Sequence, residues 1–277
     1  MSPRTIIALT TFLGLSLARD IPSNVQSLYD SIKSVGQCSN KLASGFYALG
    51  DGSDTFSYCG DHQDDSNIIY LQGTSGALAD MDIDCDGTAG GPADDGRCGN
   101  SQDTQSGTSF QDTLAGYGKG VDNLDAKIHP YVVFGNVGSS ANWNTFDPQD
   151  HGIEPLSLMA VVCGDKLIYG VWGDENGDDG DKPMVGEASI SLATACFGTS
   201  MTGDNGHTDT DVLYIAFKGK DAVPGADGAK WDAQSYDEFE ASIEDLGNSL
   251  IKGISTSAAV NGGKKARNLG PAVPRFL

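Results

Sequence analysis

Two acidic residues thirteen positions apart, Asp174 and Glu187, carry the main chemical signal of this sequence. Asp174 ends the run Tyr169–Asp174 (YGVWGD), and Glu187 sits in Gly186–Ala193 (GEASISLA), with a Gly- and Asp-rich stretch between them. A pair of carboxyl groups can hydrolyse a glycosidic bond: one protonates the leaving oxygen, and the other activates water or attacks carbon. Glu187 has small and apolar sequence neighbours, a setting that favours the protonated acid. Asp174 opens a polar loop, which suits a carboxylate that stays ionised. Trp172, two positions before Asp174, offers an aromatic face for a sugar. A turn Asp and a strand-end Glu would give the same pattern without chemistry.

A second acidic run, Met81–Gly87 (MDIDCDG), places Asp82, Asp84 and Asp86 on one face if it is a strand. Three like charges in a row need a cation, a set of donors or a cationic substrate beside them. The run matches the start of a calcium-binding EF-hand loop, but the twelfth position is Ala93 where a bidentate Glu belongs, and no flanking helices are evident. The sequence therefore calls for no metal and no cofactor. The four histidines, His62, His129, His151 and His207, form no H-E-x-x-H, and no G-x-S-x-G occurs. Each histidine reads as structural or exposed.

The elements that must hold these groups are mostly strands. Apolar runs at 68–71, 131–134, 158–162, 167–172 and 212–217 are each bounded by Gly, Asp or Asn. Residues 162–167 read as a hairpin turn between two of them. The spacing of Val25, Leu28, Tyr29, Ile32 and Val35 predicts an amphipathic helix ended by Gly36. A second helix begins at the capping box Ser235/Glu238, with Phe239, Ile243, Leu246 and Leu250 on one face and Asp237, Glu238, Glu240, Glu244 and Asp245 on a solvated acidic face. Many short strands with turn punctuation predict a mainly β barrel or sandwich with peripheral helices.

The chain has 277 residues, 17 Lys+Arg and 38 Asp+Glu, for a formal charge of −21 and a pI near 4.2. Such an acid excess repels nucleic acid and anionic membrane and favours neutral or cationic partners. Residues 1–18 read as a signal peptide: Arg4, a short apolar run, and Ser16-Leu17-Ala18 before the cut. Its removal leaves −22. No other stretch approaches the ~20 apolar residues of a membrane span. Residues 19–256 read as one domain, and 257–277, with Lys264, Lys265 and Arg267, as a basic, flexible tail. The expected location is extracellular, where the six cysteines, with no C-x-x-C, form three disulfides. Proximity pairs Cys38 with Cys59, Cys85 with Cys98 and Cys163 with Cys196. No N-glycosylation sequon is present.

Met81–Gly87, Leu124–Asn136 (LDAKIHPYVVFGN), Pro155–Cys163 (PLSLMAVVC), Tyr169–Asp174 and Gly186–Ala193, together with Asp221–Gly225 and all six cysteines, resemble the fungal endo-chitosanases of glycoside hydrolase family 75. The resemblance runs from about Pro22 to Ile254 and excludes the tail. It implies a six-stranded barrel of the double-psi type and a secreted, monomeric endo-acting enzyme that cleaves β-1,4 linkages between glucosamine units of chitosan or partly deacetylated chitin. It implies catalytic Asp174 and Glu187 and an inverting mechanism. Asp82, Asp84, Asp178, Asp179, Asp181 and Trp172 are the expected substrate contacts, because chitosan is cationic in mildly acidic water. Some members have a shorter loop than the acidic Glu175–Lys182 stretch found here. The competing reading is a non-catalytic secreted binder of cationic cell-wall polysaccharide, stabilised by calcium on Asp82–Asp86.

Overall fold

The computed structural model describes residues 19–255 except 51, 100, 102, 103 and 179. The expected signal segment, the basic tail and Asp179 lie outside these residues. Ten strands follow in chain order: β1 (Arg19–Asp20), β2 (Lys41–Phe46), β3 (Phe56–Cys59), β4 (Ile68–Gln72), β5 (Ala79–Asp84), β6 (Tyr131–Asn136), β7 (Leu158–Cys163), β8 (Lys166–Asn176), β9 (Glu187–Ser189) and β10 (His207–Phe217). The α-helices are α1 (Ser23–Val35), α2 (Gln111–Gly116), α3 (Ile190–Phe197) and α4 (Tyr236–Ile251).

All ten strands belong to one sheet, and six of them pair in a closed cycle: β8 with β6, β6 with β9, β9 with β5, β5 with β10, β10 with β7, and β7 back to β8. The β6–β8 and β5–β9 pairs are parallel. β6 and β7 are buried along their whole length, which explains why both read as unbroken apolar runs. The β7–β8 turn is the expected hairpin, with Cys163 opposite Lys166.

Helix α1 buries Val25, Leu28 and Ile32 and stops at Gly36, as its spacing predicts. At α4, Ser235 accepts from the Glu238 backbone N–H, while the Glu238 side chain caps Gln234 N–H instead of Ser235. Glu240 departs from the expected solvated face. It is buried and paired with Arg19, whose guanidinium also covers the Tyr169 ring at 4.4 Å. The partner that decides this burial lies 221 positions away, beyond the reach of the helical period. The three disulfides join the cysteines that proximity pairs. No described helix is long and apolar enough to cross a membrane.

Candidate active site

A cleft of about 750 Å³ opens where β5, β9, β6 and β8 run side by side. Among the described residues, eight acidic side chains line it against one cation, Lys182, which is itself held on the Gly50 carbonyl and over the Tyr47 ring. Register builds the floor. Val133 of β6 is the partner of Glu187 on one side and of Asp174 on the other, and Asp82 of β5 is level with Glu187. Asp174 and Glu187 therefore stand two strand spacings apart, roughly 10 Å at the backbone.

A bulge aims Asp174. Val132 and Val133 are consecutive, but their partners on β8 are Trp172 and Asp174, so Gly173 is the extra residue. A Cβ on Gly173 would lie 2.6 Å from both Tyr131 Cβ and Leu124 Cδ1, so only glycine lets β8 pack so close. Asp174 is buried at the end of a long strand rather than in a polar loop. Its Oδ1 accepts from Ser109 N–H (2.9 Å), the Ser109 hydroxyl and Glu175 N–H (2.8 Å). These donors favour the ionised form.

Glu187 is half-exposed, so apolar surroundings do not set it apart. Its neighbourhood is acidic instead: Asp82 is its strand partner, and Asp84 senses its charge. Like charges favour the acid form. Gly186 before it has φ +96°, and a Cβ there would lie 2.5 Å from Asp80 Oδ1.

The acidic run divides by depth. Asp82 is exposed to solvent within the cleft, and desolvation by the cleft walls pushes its carboxyl up to about 6. Asp84 lines the cleft at depth and is buried; burial first, then the charges of Glu187, Asp174 and Asp86, hold its carboxyl well above the usual range. Asp84, Asp86 and Asp174 bring carboxyl oxygens within 4.8 Å of one another. Each accepts from a backbone N–H group, Asp84 from Asp86 (2.6 Å) and Asp86 from Gln105 (2.6 Å). Because Ala79–Asp84 is a strand, the run is no EF-hand loop. Glu175, next to Asp174, is pushed up to about 7 by desolvation, then by Asp147 and Asp174.

Trp172 corrects an expectation. It is fully buried, packs edge-on against Phe110 at 4.6 Å and donates from Nε1 to the Asp174 carbonyl at 3.0 Å. It fixes the Asp174 backbone and presents no face to a sugar. The half-exposed aromatic that lines the cleft is Trp143, which no motif marks. Asp178 is tied to Ser139 and Ser140 and its carboxyl is lowered by those bonds, while Asp181 is exposed and outside the cleft lining. None of the four histidines lines the cleft; His129, for one, accepts from Asp125 N–H and bonds the Trp231 carbonyl.

Residues 81–253 match the model of the fungal chitosanases of glycosyl hydrolase group 75. The chain is 46% identical over 254 residues to an endo-chitosanase of Aspergillus oryzae (strain ATCC 42149 / RIB 40), covering 90% of this chain and 97% of that one. It is 45% identical over 240 residues to an endo-chitosanase of Aspergillus fumigatus (86% and 92%), and 42% identical over 252 residues to endo-chitosanase B of A. oryzae (90% and 97%).

Proposed function

Since the chain belongs to the fungal chitosanases of glycosyl hydrolase group 75, we infer that it is an endo-acting glycoside hydrolase cleaving chitosan at β-1,4 glucosamine linkages. The acidic cleft fits a polycation: among the described residues, eight carboxyl groups against one lysine draw ammonium groups in and hold the polymer across the floor.

Asp174 acts as base and Glu187 as acid in a single, inverting displacement. The observation that carries this reading is the shared partner Val133, which sets the two residues on strands either side of β6. Two strand spacings leave room for a water between base and sugar. Inverting enzymes keep their carboxyl groups roughly 6.5–9.5 Å apart, retaining ones about 5–5.5 Å. Asp174, fed by three donors, keeps its charge and takes a proton from that water. Water then attacks the anomeric carbon from the face opposite the leaving group, and Glu187 gives its proton to the departing oxygen.

The six-strand cycle supports a double-psi barrel as the finer description of the fold. Three disulfides and the 1–18 segment support secretion into an oxidising space. Among the described residues, Val35 and Val137 are the exposed large hydrophobics, too little surface for an obligate partner, which supports a monomer. The test is hydrolysis of defined chitosan oligomers followed by NMR. The α-anomer should appear first, and both Asp174→Asn and Glu187→Gln should abolish it. An initial β-anomer would mean a retaining enzyme, and no new reducing ends would mean a binding protein.

A further inference from the structure

Asp84 sits where neither the acid nor the base is. Its carboxyl lies within 4.8 Å of those of Asp86 and Asp174 and in the field of Glu187. Facing it are Asp82 and Asp86 from its own stretch, Glu187 from β9, Asp174 from β8 and Tyr131 from β6; Glu175 lies beyond Asp174. Lys182, the one cation among the described residues lining the cleft, is engaged elsewhere. Small Ser189, level with Asp84 on β9, is fully buried and accepts from Tyr131 N–H at 3.0 Å.

The hydrogen bonds specify the proton. Asp84 Oδ1 accepts from Asp86 N–H at 2.6 Å. The Tyr131 phenol donates to the Asp86 carbonyl at 3.1 Å and stands beside the Asp84 carboxyl, whose charge acts on it. A phenol has one proton for these two acceptors. If it goes to the carbonyl, the phenol oxygen faces Asp84 as an acceptor and needs a donor there.

Resting on the Asp174/Glu187 reading, we propose that Asp84 is a positioning residue that works as a neutral carboxylic acid, donating to the Tyr131 oxygen and separating the charges of base and acid. Carboxyl groups this close and this buried do not all ionise. A proton kept on Asp84 leaves Asp174 free to stay charged while Glu187 holds the proton it transfers. The raised carboxyl of Asp84 and the phenol of Tyr131, pushed well above its usual range by burial and then by Asp84, agree with this arrangement.

The experiment compares Asp84→Asn with Asp84→Ala on soluble chitosan. An amide copies a neutral acid: its oxygen accepts from Asp86 N–H and its nitrogen donates to Tyr131. Asp84→Asn should keep kcat within about tenfold of the parent, against the roughly 10²–10⁴-fold loss expected when an acid or base is removed. Its alkaline limb in kcat/KM should stay in place, because Glu187 has lost no charged neighbour. Asp84→Ala should lose kcat at little change in KM. Parent-minus-Asn infrared spectra at neutral pH should show the carbonyl band of one protonated carboxyl. Carboxylate bands instead, an Asp84→Asn protein that is inactive or unfolded, or an alkaline limb moved about a unit or more to lower pH would each overturn the proposal. Glu187→Gln and Asp174→Asn separate the two readings. If either keeps parental kcat, the assignment of acid and base fails whatever Asp84 does; if both are inactive and Asp84→Asn is too, only the neutral role of Asp84 fails.

Discussion

Ser109 donates both its backbone N–H, at 2.9 Å, and its hydroxyl to Oδ1 of Asp174, sixty-five positions further along the chain. The same hydroxyl lies 3.2 Å from Glu175 N–H, so one side chain fixes the end of β8 and the orientation of the Asp174 carboxyl together. The loop before α2 thus holds the Asp174 carboxyl in place, and on the reading of Asp174 as base it belongs to the catalytic apparatus.

Ser109→Ala removes one of three donors and leaves the backbone pair in place. A hydrogen bond to a charged group contributes ~1.5–3 kcal/mol. We expect kcat to fall by roughly ten- to hundredfold with KM nearly unchanged, because the hydroxyl orients the base and not the polymer. Steady-state kinetics on a defined oligomer checks this; a rise in KM at constant kcat would assign Ser109 to substrate binding instead.

Much of this site is legible in the sequence, and what is hidden has a physical reason. The apolar runs of β4, β6, β7, β8 and β10 announce themselves because both faces, or one face, are buried. The three-residue β9 and the short α3 that follows it are too brief for periodicity to show, yet β9 carries Glu187. Asp174 and Glu187 stand out by their motifs, but their surroundings do not: Gly173 re-aims the first, and carboxyl groups from β5 surround the second. Depth within the cleft comes only from folding. It places Trp172 in the core and Trp143 on the cleft wall, and it splits Asp82 from Asp84.

Asp82 is the solvent-reachable carboxyl nearest Glu187 in register, and desolvation raises it to about 6. It is charged above that pH and neutral below it. Asp82→Asn should therefore raise KM for chitosan by about two- to fivefold near pH 7, the effect of an ion pair contributing ~0.5–1 kcal/mol. Below pH 5 parent and variant should converge. Comparing both proteins at each pH cancels changes in the substrate's own charge. A KM ratio that does not vary between pH 5 and 7 would contradict this role.

Trp143 and Trp172 should separate cleanly on substitution. Trp143 is half-exposed on the cleft wall, so Trp143→Ala should raise KM by roughly three- to tenfold with little change in melting temperature; aromatic stacking contributes ~0.5–1.5 kcal/mol beyond simple burial. Trp172→Ala empties a fully buried site and removes the bond to the Asp174 carbonyl, so it should destabilise by roughly 3–5 kcal/mol. Thermal unfolding beside kinetics distinguishes them, and a Trp143→Ala variant with parental KM would remove Trp143 from the substrate path.

Asp80 gives a pH-dependent term that involves no substrate. It is buried, its Oδ1 has no hydrogen-bond partner and abuts Gly186, and desolvation, with a smaller push from Asp82, raises its carboxyl to about 9. In the unfolded chain the group titrates near 3.8. Between about pH 4 and 9 the folded protein therefore holds a proton that the unfolded chain has lost. Stability contributed at low pH declines as pH rises through that window and levels off above about 9. Asp80→Asn fills the same space without a titrating group. Its melting temperature should match the parent near pH 4 and exceed it increasingly toward pH 8, by roughly 2–4 °C for each kcal/mol of linkage removed. A difference that stays constant across this range would show that Asp80 does not hold its proton in the fold.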